Sequence, residues 1–372
     1  MAKKILFVSN TSWSIYNFRK KLMKTLKEKG VNISFCANYD KYVEKLKKEG
    51  FKYIEVKIDR KGKNLFKDLK LIFDLYRIYK KEKPDLILHY TIRPNIYGSL
   101  AAKMGKIKCI NTITGLGSVF IKNNILTKLV KFLYKISFKF SEKILFQNKD
   151  DLNIFLKNGF DQKEKLILVP GSGVDTKHFS PGFCEKKDNS SFVFLFLGRI
   201  LWYKGVEEFV KASEIIKKRY SYSESLLLGP IDKENSSSIS KKQIERWEKE
   251  EYIQYLKERD DVRKIICRSD VVVLPSYYKE GIPRSLLEAA SMEKPIIATD
   301  VSGCKEVVEN SVNGFLCRVK DHKDLADKMK KMINLKKEER IEMGKKGREK
   351  VKKEFDEKIV IEKYLKIINN VI

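Results

Sequence analysis

Two stretches in the second half of the chain place charged side chains and glycines directly after apolar runs. Arg199 and Lys204 follow Gly198, which ends the run Phe192–Leu197. A forked guanidinium beside an ammonium at the start of a helix suits a diphosphate, because both groups are cationic donors. Gly198 would let the backbone turn sharply and approach a ligand closely. Taken alone, the same pattern is also that of a solvated charged turn.

The second stretch, PSYYKEGIPRSLLE, follows the apolar run Val271–Leu274. Gly281 offers backbone N–H groups without a side chain, and a helix starting near Pro283 would present its positive end. Together these features predict a second anion site. Glu280 in the loop and Glu288 on the helix suit hydroxyl groups, such as ribose or hexose oxygens, because carboxylates repel a phosphate. The alternative is a capped helix with one inward-facing glutamate.

A third stretch, TDVSGCKEVVENSVNGFL, spans Thr299–Leu316. Gly303 and the pair Asn313-Gly314 are turn signals, the second of them just before a short apolar run. On its own this stretch predicts only scaffold.

Apolar runs alternate with helical patterns along the chain, beginning with the strand candidates Lys4–Ser9 and Val31–Ala37. This alternation predicts βαβ units and parallel sheets. The chain has 372 residues, too many for one ordinary core, and the polar stretch Cys184–Ser191 is the best candidate for a linker. We therefore predict an α/β protein of two doubly wound, Rossmann-like domains facing a cleft, with residues 1–184 in one and residues 185–356 in the other.

The composition is strongly basic, with 78 Lys and Arg against 49 Asp and Glu and a net charge of +29. This charge favours an anionic partner: nucleic acid, a membrane surface or a phosphorylated substrate. No apolar run approaches the ~20 residues of a membrane-spanning helix. The N-terminus, MAKKILFVSN, predicts a first strand rather than a signal peptide. The six cysteines are scattered and histidines are few, which predicts separate buried thiols in a reducing cytoplasm and no metal site.

In order and spacing, the three stretches resemble the C-terminal domain of the retaining glycosyltransferases of family four. Their patterns are G-R-x4-K-G, then P-S-x3-E-G-x-P-x3-L-E-A, then D-x-x-G-x2-E-x-V-x4-N-G. PGSGVD, at Pro170–Asp175, is similar to the family segment before the interdomain linker. The family has the two-domain GT-B fold and uses nucleotide-sugar donors, and its last helix, here residues 357–372, packs back on the first domain.

The resemblance implies a role for each residue of the donor site. Arg199 and Lys204 would bind the donor diphosphate, Glu280 would contact the donor sugar and Glu288 would hydrogen-bond the ribose. The backbone N–H groups after Glu280 would meet phosphate. No metal or other cofactor is expected, because the basic side chains and a helix end would stabilise charge on the leaving group. Glu280, Arg199 and Lys204 are the predicted catalytic residues. The predicted donor-binding residues are Gly198, Arg199, Lys204, Glu280, Gly281, Ile282, Pro283 and Glu288.

The first half would hold the acceptor. SNTSWSIYNFRKKL, at Ser9–Leu22, resembles the loop after the first strand in members that act on lipid-linked sugars, and TGLGSVF, at Thr114–Phe120, matches the same members. The wider family carries a histidine where Thr114-Gly115 stands here, and His89 either contacts substrate or is structural. No general base is assigned, because in front-face attack the departing phosphate oxygen can take the acceptor proton. The acceptor candidates are Ser12, Tyr16, Asn17, Arg19, His89, Thr114 and Gly115.

Part of the basic charge is concentrated in one stripe of lysines. Within residues 125–144, lysines recur at steps of three or four, with leucines and isoleucine on another face and Phe132, Tyr134 and Phe138 at the edges. A basic amphipathic helix suits an anionic membrane surface. The alternative is an ordinary helix packed on a sheet. The membrane candidates are Lys128, Lys131, Lys135 and Lys139.

These features lead to one main hypothesis and two alternatives. The main hypothesis is a retaining glycosyltransferase, peripheral at the inner face of the bacterial plasma membrane, that uses a UDP-sugar and an undecaprenyl-diphosphate-linked acceptor. The opening loop, TGLGS and GRILWYKGVEEF are most similar to N-acetylgalactosaminyltransferases, so N-acetylgalactosamine is the expected sugar. The first alternative is the same fold with a soluble or protein acceptor. The second, a nucleic-acid-binding protein, is disfavoured because no recognisable module is present and Glu280 and Glu288 would be out of place.

Overall fold

The structure, a computed structural model, describes residues 2–59, 65–116, 125–160, 162–185, 191–232, 234–278 and 280–372. The chain divides into two compact units. Unit 1 contains Met1–Ser172 and Lys358–Ile372, and unit 2 contains Gly173–Glu357.

Unit 1 is built on a parallel sheet of seven strands in the order β3-β2-β1-β4-β5-β6-β7. The strands are β1 (Lys4–Thr11), β2 (Asn32–Asn38), β3 (Lys52–Glu55), β4 (Leu86–Tyr90), β5 (Lys108–Ile113), β6 (Lys143–Phe146) and β7 (Leu166–Leu168). The helices are α1 (Ser12–Glu28), α2 (Tyr42–Lys48), α3 (Leu65–Glu82), α4 (Ser99–Met104), α5 (Ile125–Phe138) and α6 (Lys149–Lys157). A π-helical turn, Pro94–Gly98, precedes α4.

Unit 2 contains a parallel sheet of six strands in the order β10-β9-β8-β11-β12-β13. The strands are β8 (Phe192–Leu197), β9 (Ser223–Leu228), β10 (Gln254–Tyr255), β11 (Val271–Leu274), β12 (Ile296–Thr299) and β13 (Gly314–Cys317). The helices of unit 2 are α7 (Val206–Arg219), α8 (Lys241–Lys249), α9 (Arg263–Arg268), α10 (Arg284–Ser291), α11 (Cys304–Val307), α12 (His322–Asn334) and α13 (Lys337–Glu354). The last helix of the chain, α14 (Glu357–Asn369), returns to unit 1. The predicted doubly wound α/β architecture is thus present in both units.

The strand sequences explain this architecture. All six residues of β8, FVFLFL, are buried. Such a continuous apolar run is typical of a parallel strand that is covered by helices on both faces. The sheet of unit 1 is covered on one face by α1 and α14. Ile361, Tyr364 and Ile368 of α14 pack in the same core cluster as Ile15 and Leu22 of α1.

The boundary between the units lies at Gly173, before the predicted linker at residues 184–191. Val174 forms a parallel bridge with Asp356, in which the Val174 N–H donates to the Phe355 carbonyl and the Glu357 N–H donates to the Val174 carbonyl. Phe179 is buried in the core of unit 2. These contacts tie the segment after Gly173 to unit 2. Of the predicted linker, residues 186–190 lie outside the described residues.

The first helix also begins earlier than predicted. The sequence predicts that Ser9–Leu22 forms the loop after the first strand, whereas α1 starts at Ser12. Thr11 caps it, since its side-chain oxygen accepts a hydrogen bond from the Ser14 N–H at 3.2 Å. The predicted acceptor loop is therefore mostly the first turns of a helix.

Two cysteines are joined, so the prediction of six separate thiols is wrong. Cys184 and Cys267 form a disulfide, with Cα atoms 5.2 Å apart. The pair is separated by 83 positions, so no local spacing indicates it. The other four, Cys36, Cys109, Cys304 and Cys317, are buried free thiols as predicted.

Reduction of this disulfide is expected to destabilise unit 2. A cross-link that closes a loop of ~80 residues restricts the unfolded chain by up to about 4–5 kcal/mol in the loop-entropy description. We expect a reductant to lower the melting temperature of unit 2 in the wild type, as followed by calorimetry. The control is the double variant Cys184→Ser, Cys267→Ser, on which the reductant should have no effect. Equal melting of oxidised and reduced wild type would contradict the cross-link.

Candidate functional site

The candidate site of unit 2 lies at the switch point of its sheet. β8 and β11 are neighbours, and the strands that follow them in the chain extend the sheet in opposite directions. At such a point the loops after the two strands diverge and leave a crevice at the carboxyl ends, where ligands bind in open α/β sheets. The loops that carry Arg199 and Glu280 are the loops after β8 and β11.

Glycines hold the three loops against one another. A Cβ atom on Gly205 would overlap the carbonyl oxygen of Pro275, so the loop after β8 contacts the loop after β11 at backbone distance. A Cβ atom on Gly303 would overlap the carbonyl oxygen of Gly281, which fastens the third loop to the second. Both glycines have positive φ, +77° and +84°, where other residues are strained. The third stretch is therefore the support of the second rather than separate scaffold.

Lys204 and Glu280 form an ion pair at the centre of this arrangement. The Lys204 Nζ contacts Glu280 Oε1, and each side chain keeps only 12% exposure. The same carboxylate oxygen accepts a hydrogen bond of 3.1 Å from the Ser276 hydroxyl. Sequence reasoning missed Ser276, whose position immediately after Pro275 at the end of β11 was the available signal. The structure thus brings together a predicted diphosphate-binding cation and a predicted sugar-binding carboxylate.

An aromatic ring, Tyr278, lies near this ion pair and stacks on a second tyrosine. The rings of Tyr203 and Tyr278 stack with centroids 4.5 Å apart, and the Lys204 Nζ lies 5.8 Å from the centroid of Tyr278. Aromatic surfaces of this kind limit the positions open to the lysine side chain.

Arg199 is held by a carboxylate that sequence reasoning also missed. Its Nη1 lies 3.2 Å from Asp232 Oδ2, while the arginine side chain keeps 34% exposure. Asp232 lies in the polar segment after β9, where the sequence has no motif. An arginine oriented by one carboxylate and still partly exposed can present its remaining donors to an anion.

Glu288 is placed in the first turns of α10, close to Arg284. The Arg284 Nε lies 3.2 Å from Glu288 Oε1, and the glutamate side chain is 16% exposed. Burial raises the pKa of Glu288 to about 7, against a smaller opposing effect of Arg284. The carboxyl group is therefore poised between its neutral and ionised forms near neutral pH.

This raised pKa predicts a stability that falls as the pH rises. The folded chain keeps the Glu288 proton up to pH about 7, whereas the unfolded chain releases it near the ordinary glutamate value of 4.5. The unfolding free energy should therefore fall between these values, by up to about 3 kcal/mol. We expect Glu288→Gln to match the wild type near pH 5 and to be more stable at pH 8, as measured by urea unfolding. Parallel profiles for the two proteins would refute the shift.

The N-terminus of α10 provides a further region of positive potential. Gly281 and Ile282 are buried immediately before the helix, and Pro283 is its N-cap. Proline has no side-chain oxygen with which to cap the first turn, so the backbone at this end remains a suitable partner for an anion.

In unit 1 the predicted acceptor residues have different surroundings. Ser12 is fully buried, and its hydroxyl donates to the Asn38 carbonyl at 3.0 Å, so it joins α1 to β2. Tyr16 packs on Tyr42 with centroids 5.1 Å apart. The Asn17 amide donates to the Trp13 carbonyl at 2.9 Å.

Arg19 is also buried, at 5% exposure. Thr114 and Gly115 follow β5 and are partly exposed. Of the matching motif around them, residues 117–120 lie outside the described residues.

The surroundings of His89 favour the structural alternative over contact with a substrate. It is fully buried, and its ring nitrogens are bonded to Tyr79 and Asn111, each at 2.9 Å. Burial lowers its pKa to about 4, so it stays neutral near neutral pH. A Cβ atom on Gly98 would overlap the ring, so the histidine is fitted closely into the core.

The lysine stripe on α5 is only partly as predicted. Lys128 and Lys135 are exposed on the helix, Lys131 is partly exposed, and Lys139 is exposed just after the helix ends at Phe138. The aromatic side chains are arranged differently from the prediction. Tyr134 and Phe138 are buried at 1%, whereas Phe132 is 58% exposed.

The described part of the chain contains neither a metal-binding cluster nor a membrane-spanning helix. No group of three or more His, Cys, Asp or Glu side chains is placed there to hold a metal ion. Nor does that part contain a helix with the length and apolar character required to span a bilayer.

Comparison with known proteins adds independent evidence. The family model described as "Glycosyl transferases group 1" matches residues 183–350, and that described as "Glycosyl transferase 4-like" matches residues 4–148. The first match contains the loops of unit 2 that carry the predicted donor-site residues, and the second contains α1 and most of the unit 1 sheet.

Individual relatives agree with these matches. The N,N'-diacetylbacillosaminyl-diphospho-undecaprenol alpha-1,3-N-acetylgalactosaminyltransferase of Campylobacter jejuni is 32% identical over 384 aligned positions, which cover 99% of each chain. The UDP-Gal:alpha-D-GlcNAc-diphosphoundecaprenol alpha-1,3-galactosyltransferase of Escherichia coli is 28% identical over 69% of this chain and 68% of its own. Among solved structures, Anabaena HepE in complex with UDP and glucose superposes with a TM-score of 0.78 at 16% identity over 99% of each chain, which shows a shared fold.

Proposed function

Because the chain belongs to the retaining glycosyltransferases of family four, which have the GT-B fold, we propose that it transfers N-acetylgalactosamine from a UDP-sugar to an undecaprenyl-diphosphate-linked saccharide. Such a transfer is a step in bacterial glycan assembly. The observation that carries the proposal is the donor-site geometry of unit 2. There, two cations, two glutamates and a helix start meet at the switch point of the sheet.

The proposed roles follow from the charges on these groups. Arg199 and Lys204 bind the donor diphosphate, with the backbone N–H groups of Gly281 and Ile282 at the start of α10. Glu280 accepts hydrogen bonds from hydroxyls of the donor sugar, and Glu288 accepts them from the ribose. Glu280 stays beside Lys204 when the donor binds, because the ammonium group has three donors and can meet the carboxylate and the phosphate oxygens together.

The reaction proceeds by electrostatic stabilisation of the leaving group. The acceptor hydroxyl oxygen bonds to the anomeric carbon as the bond from that carbon to the diphosphate oxygen breaks. The hydroxyl proton passes to this phosphate oxygen, and UDP leaves. Arg199, Lys204 and the positive end of α10 stabilise the charge that develops on the diphosphate, so the proposed reaction needs neither a metal ion nor a general base.

The choice of a lipid-linked acceptor is supported by the names of two relatives, both of which act on undecaprenol-diphosphate-linked sugars. A surface of unit 1 has the chemistry to meet the membrane in which such an acceptor resides. On α3, Phe66, Leu69 and Phe73 are 82%, 46% and 53% exposed, and on α5 Leu129 and Phe132 are 51% and 58% exposed. Large exposed apolar patches bordered by polar residues mark surfaces that meet a membrane or another protein.

These two helices lie on the same face of the sheet. Both α3 and α5 pack against the turn Pro94–Gly98, opposite the face covered by α1 and α14. Lysines border the apolar side chains, among them Lys128 and Lys135 on α5. Aromatic side chains beside lysines suit the boundary between acyl chains and anionic headgroups, so we place the enzyme at the inner face of the plasma membrane as a peripheral protein.

The function is tested by release of nucleoside diphosphate from a panel of UDP-, GDP- and ADP-sugars. Each is offered with and without a polyprenyl-diphosphate-linked monosaccharide, and with and without EDTA. We expect release from UDP-N-acetylgalactosamine that requires the acceptor, is unaffected by EDTA and is lost in Glu280→Gln. Turnover with a soluble sugar or peptide but not with the lipid would instead establish the alternative acceptor. Loss of activity in EDTA that is restored by a divalent cation would refute the metal-independent reaction.

Membrane association is tested separately by flotation with vesicles that contain anionic phospholipid. Neutralisation of Lys128, Lys131, Lys135 and Lys139 should lower partitioning by about 10²–10³-fold, since each lysine near such a surface contributes roughly 1 kcal/mol. The matched control neutralises four exposed lysines of α13, Lys345, Lys346, Lys352 and Lys353. Equal partitioning of the two variants would refute the proposed surface.

A further inference from the structure

Arg19 of α1 is a buried cation in an aromatic setting. It is 5% exposed, and its guanidinium carbon lies 4.3 Å from the ring centroid of Tyr90 at the end of β4. The ring of Tyr364, on α14, lies 5.8 Å away. Two aromatic rings therefore restrict the plane and position of the guanidinium group.

This arginine has no anionic partner in the described part of the chain. No carboxylate there pairs with it, and its guanidinium donates no hydrogen bond, although most other arginines of the structure have such partners. Removal of a charge from water is costly unless the charge is paired, and cation–π contacts return only part of that cost. An unpaired, buried guanidinium is therefore expected where a ligand supplies the anion.

Its location agrees with such a ligand. β1 and β4 are neighbours at the switch point of the unit 1 sheet, from which the chain extends the sheet in opposite directions. Tyr90 ends β4, and Asn10 lies at the end of β1. Within the described residues, the side-chain carbonyl oxygen of Asn10 is buried without a hydrogen-bond partner. A buried polar atom without a partner therefore lies at the same edge of the sheet as Tyr90, which contacts the unpaired cation, and open α/β sheets bind ligands at this edge.

Nearby groups can complete an anion site. The Tyr364 hydroxyl is 3.1 Å from the Thr112 hydroxyl of β5, so the tyrosine that faces Arg19 brings two hydroxyl groups to this region. Burial raises the pKa of Tyr90 well above its ordinary range, so its hydroxyl keeps its proton and can donate. Guanidinium and phenol donors together are suited to the several oxygens of a phosphate group.

We infer that Arg19 binds a phosphate group of the acceptor's diphosphate, held in orientation by Tyr90 and Tyr364. The inference rests on the proposed function, because that function supplies a diphosphate-linked acceptor. It assigns unit 1 its own phosphate contact, separate from the donor diphosphate of unit 2. It also makes the diphosphate, rather than the sugar alone, a determinant of acceptor choice.

The first test compares two acceptors that carry the same sugar. One is a short-chain polyprenyl diphosphate glycoside, and the other is an alkyl glycoside without phosphate. We expect Arg19→Met to lower kcat/KM for the diphosphate acceptor by about 10–100-fold, the factor typical of charge-assisted hydrogen bonds. The same variant should change kcat/KM for the alkyl glycoside by less than about threefold. Arg19→Lys should recover part of the loss, because it keeps the charge without the fork.

The matched control is Lys24→Met, which removes a cation from the same helix that is paired with Glu49 at 2.5 Å. Lys24→Met should leave kcat/KM for both acceptors unchanged. Equal losses on both acceptors in Arg19→Met and Arg19→Lys would overturn the inference and leave Arg19 a packing residue.

The second test separates the anion site from the proposed function. Inorganic pyrophosphate is added to a protein whose donor site is disabled by Arg199→Met and Lys204→Met, and the melting temperature is followed. Pyrophosphate should raise the melting temperature of this protein but not after Arg19→Met is added. If this occurs while the wild type transfers sugar to no polyprenyl-diphosphate acceptor, the proposed function fails and the anion site stands. An equal shift with and without Arg19, or no shift in either protein, would overturn the inference.

Discussion

Lys204→Met is expected to lower kcat by about 10²–10³-fold, the usual effect of losing one preorganised donor to a developing anion. The lysine is held by Glu280 and by the Tyr278 ring, so its charge is in place before the reaction begins. The variant also leaves Glu280 buried without its cation. Steady-state kinetics with the UDP-sugar at saturation measures the loss of kcat independently of weaker donor binding.

Glu280→Gln should be impaired to a similar degree, and the double variant should be little worse than the poorer single variant. Groups that act as one unit lose their joint effect when either is removed. The matched control is Lys211→Met on α7, where the lysine pairs with Glu207 at 2.7 Å but lies 50% exposed. It should retain the activity of the wild type. Losses that multiply in the double variant would show that the two side chains act separately.

Gly303→Ala is expected to damage both stability and activity. At φ +84° a Cβ atom is strained, and here it would also overlap the carbonyl oxygen of Gly281 and press on Glu280. We expect a loss of about 2–4 kcal/mol in unfolding free energy, from the left-handed conformation and the overpacking together. The displaced Glu280 loop should also lower kcat/KM by about 10²-fold, since a shift of ~1 Å at a reacting group can cost that much.

Two other glycines separate the effect of the left-handed conformation from the effect of the overlap with Gly281. Gly30 has φ +80°, but a Cβ atom added there would meet no atom within 4 Å, so Gly30→Ala carries only the conformational penalty of about 1–2 kcal/mol. Gly182 has an ordinary φ, and a Cβ atom on it would have its nearest contact at 3.9 Å, so Gly182→Ala should be nearly neutral. Both should keep full activity. A Gly303→Ala protein as active as Gly30→Ala would show that the third loop does not position Glu280.

The sequence predicts the sheets and the donor loops well because their signals are local. The buried strand FVFLFL and the loop GRILWYKG are adjacent in the chain, and so are VVVL and the loop with Glu280. Parallel strands then bring their carboxyl ends to one edge of the sheet, so residues far apart in the chain come together without further information. The roles of the donor-site residues remain predictions that the variants above test.

What the sequence does not predict depends on contacts between distant residues. Asp232 beside Arg199, Ser276 beside Glu280 and the disulfide between Cys184 and Cys267 each join positions with no shared motif. On α5, periodicity identifies an amphipathic helix but leaves open which aromatic side chains face the core. Tyr134 and Phe138 are buried there because Phe155 and Phe160, from elsewhere in the chain, pack against them.

The bridge between Val174 and Asp356 has a consequence for how this enzyme could be rebuilt. Unit 2 is one uninterrupted segment of chain whose two ends are hydrogen-bonded to each other, while unit 1 is completed only by residues after that segment. Residues 173–357 should therefore be transplantable as a cassette, since exchange of a segment with adjoining ends leaves a short gap to close. Under the roles proposed for the two units, a donor-binding unit from a relative could be inserted between Ser172 and Lys358 while unit 1 keeps its own terminal helix. The fold thus allows unit 2 to be exchanged as one segment by two nearby cuts.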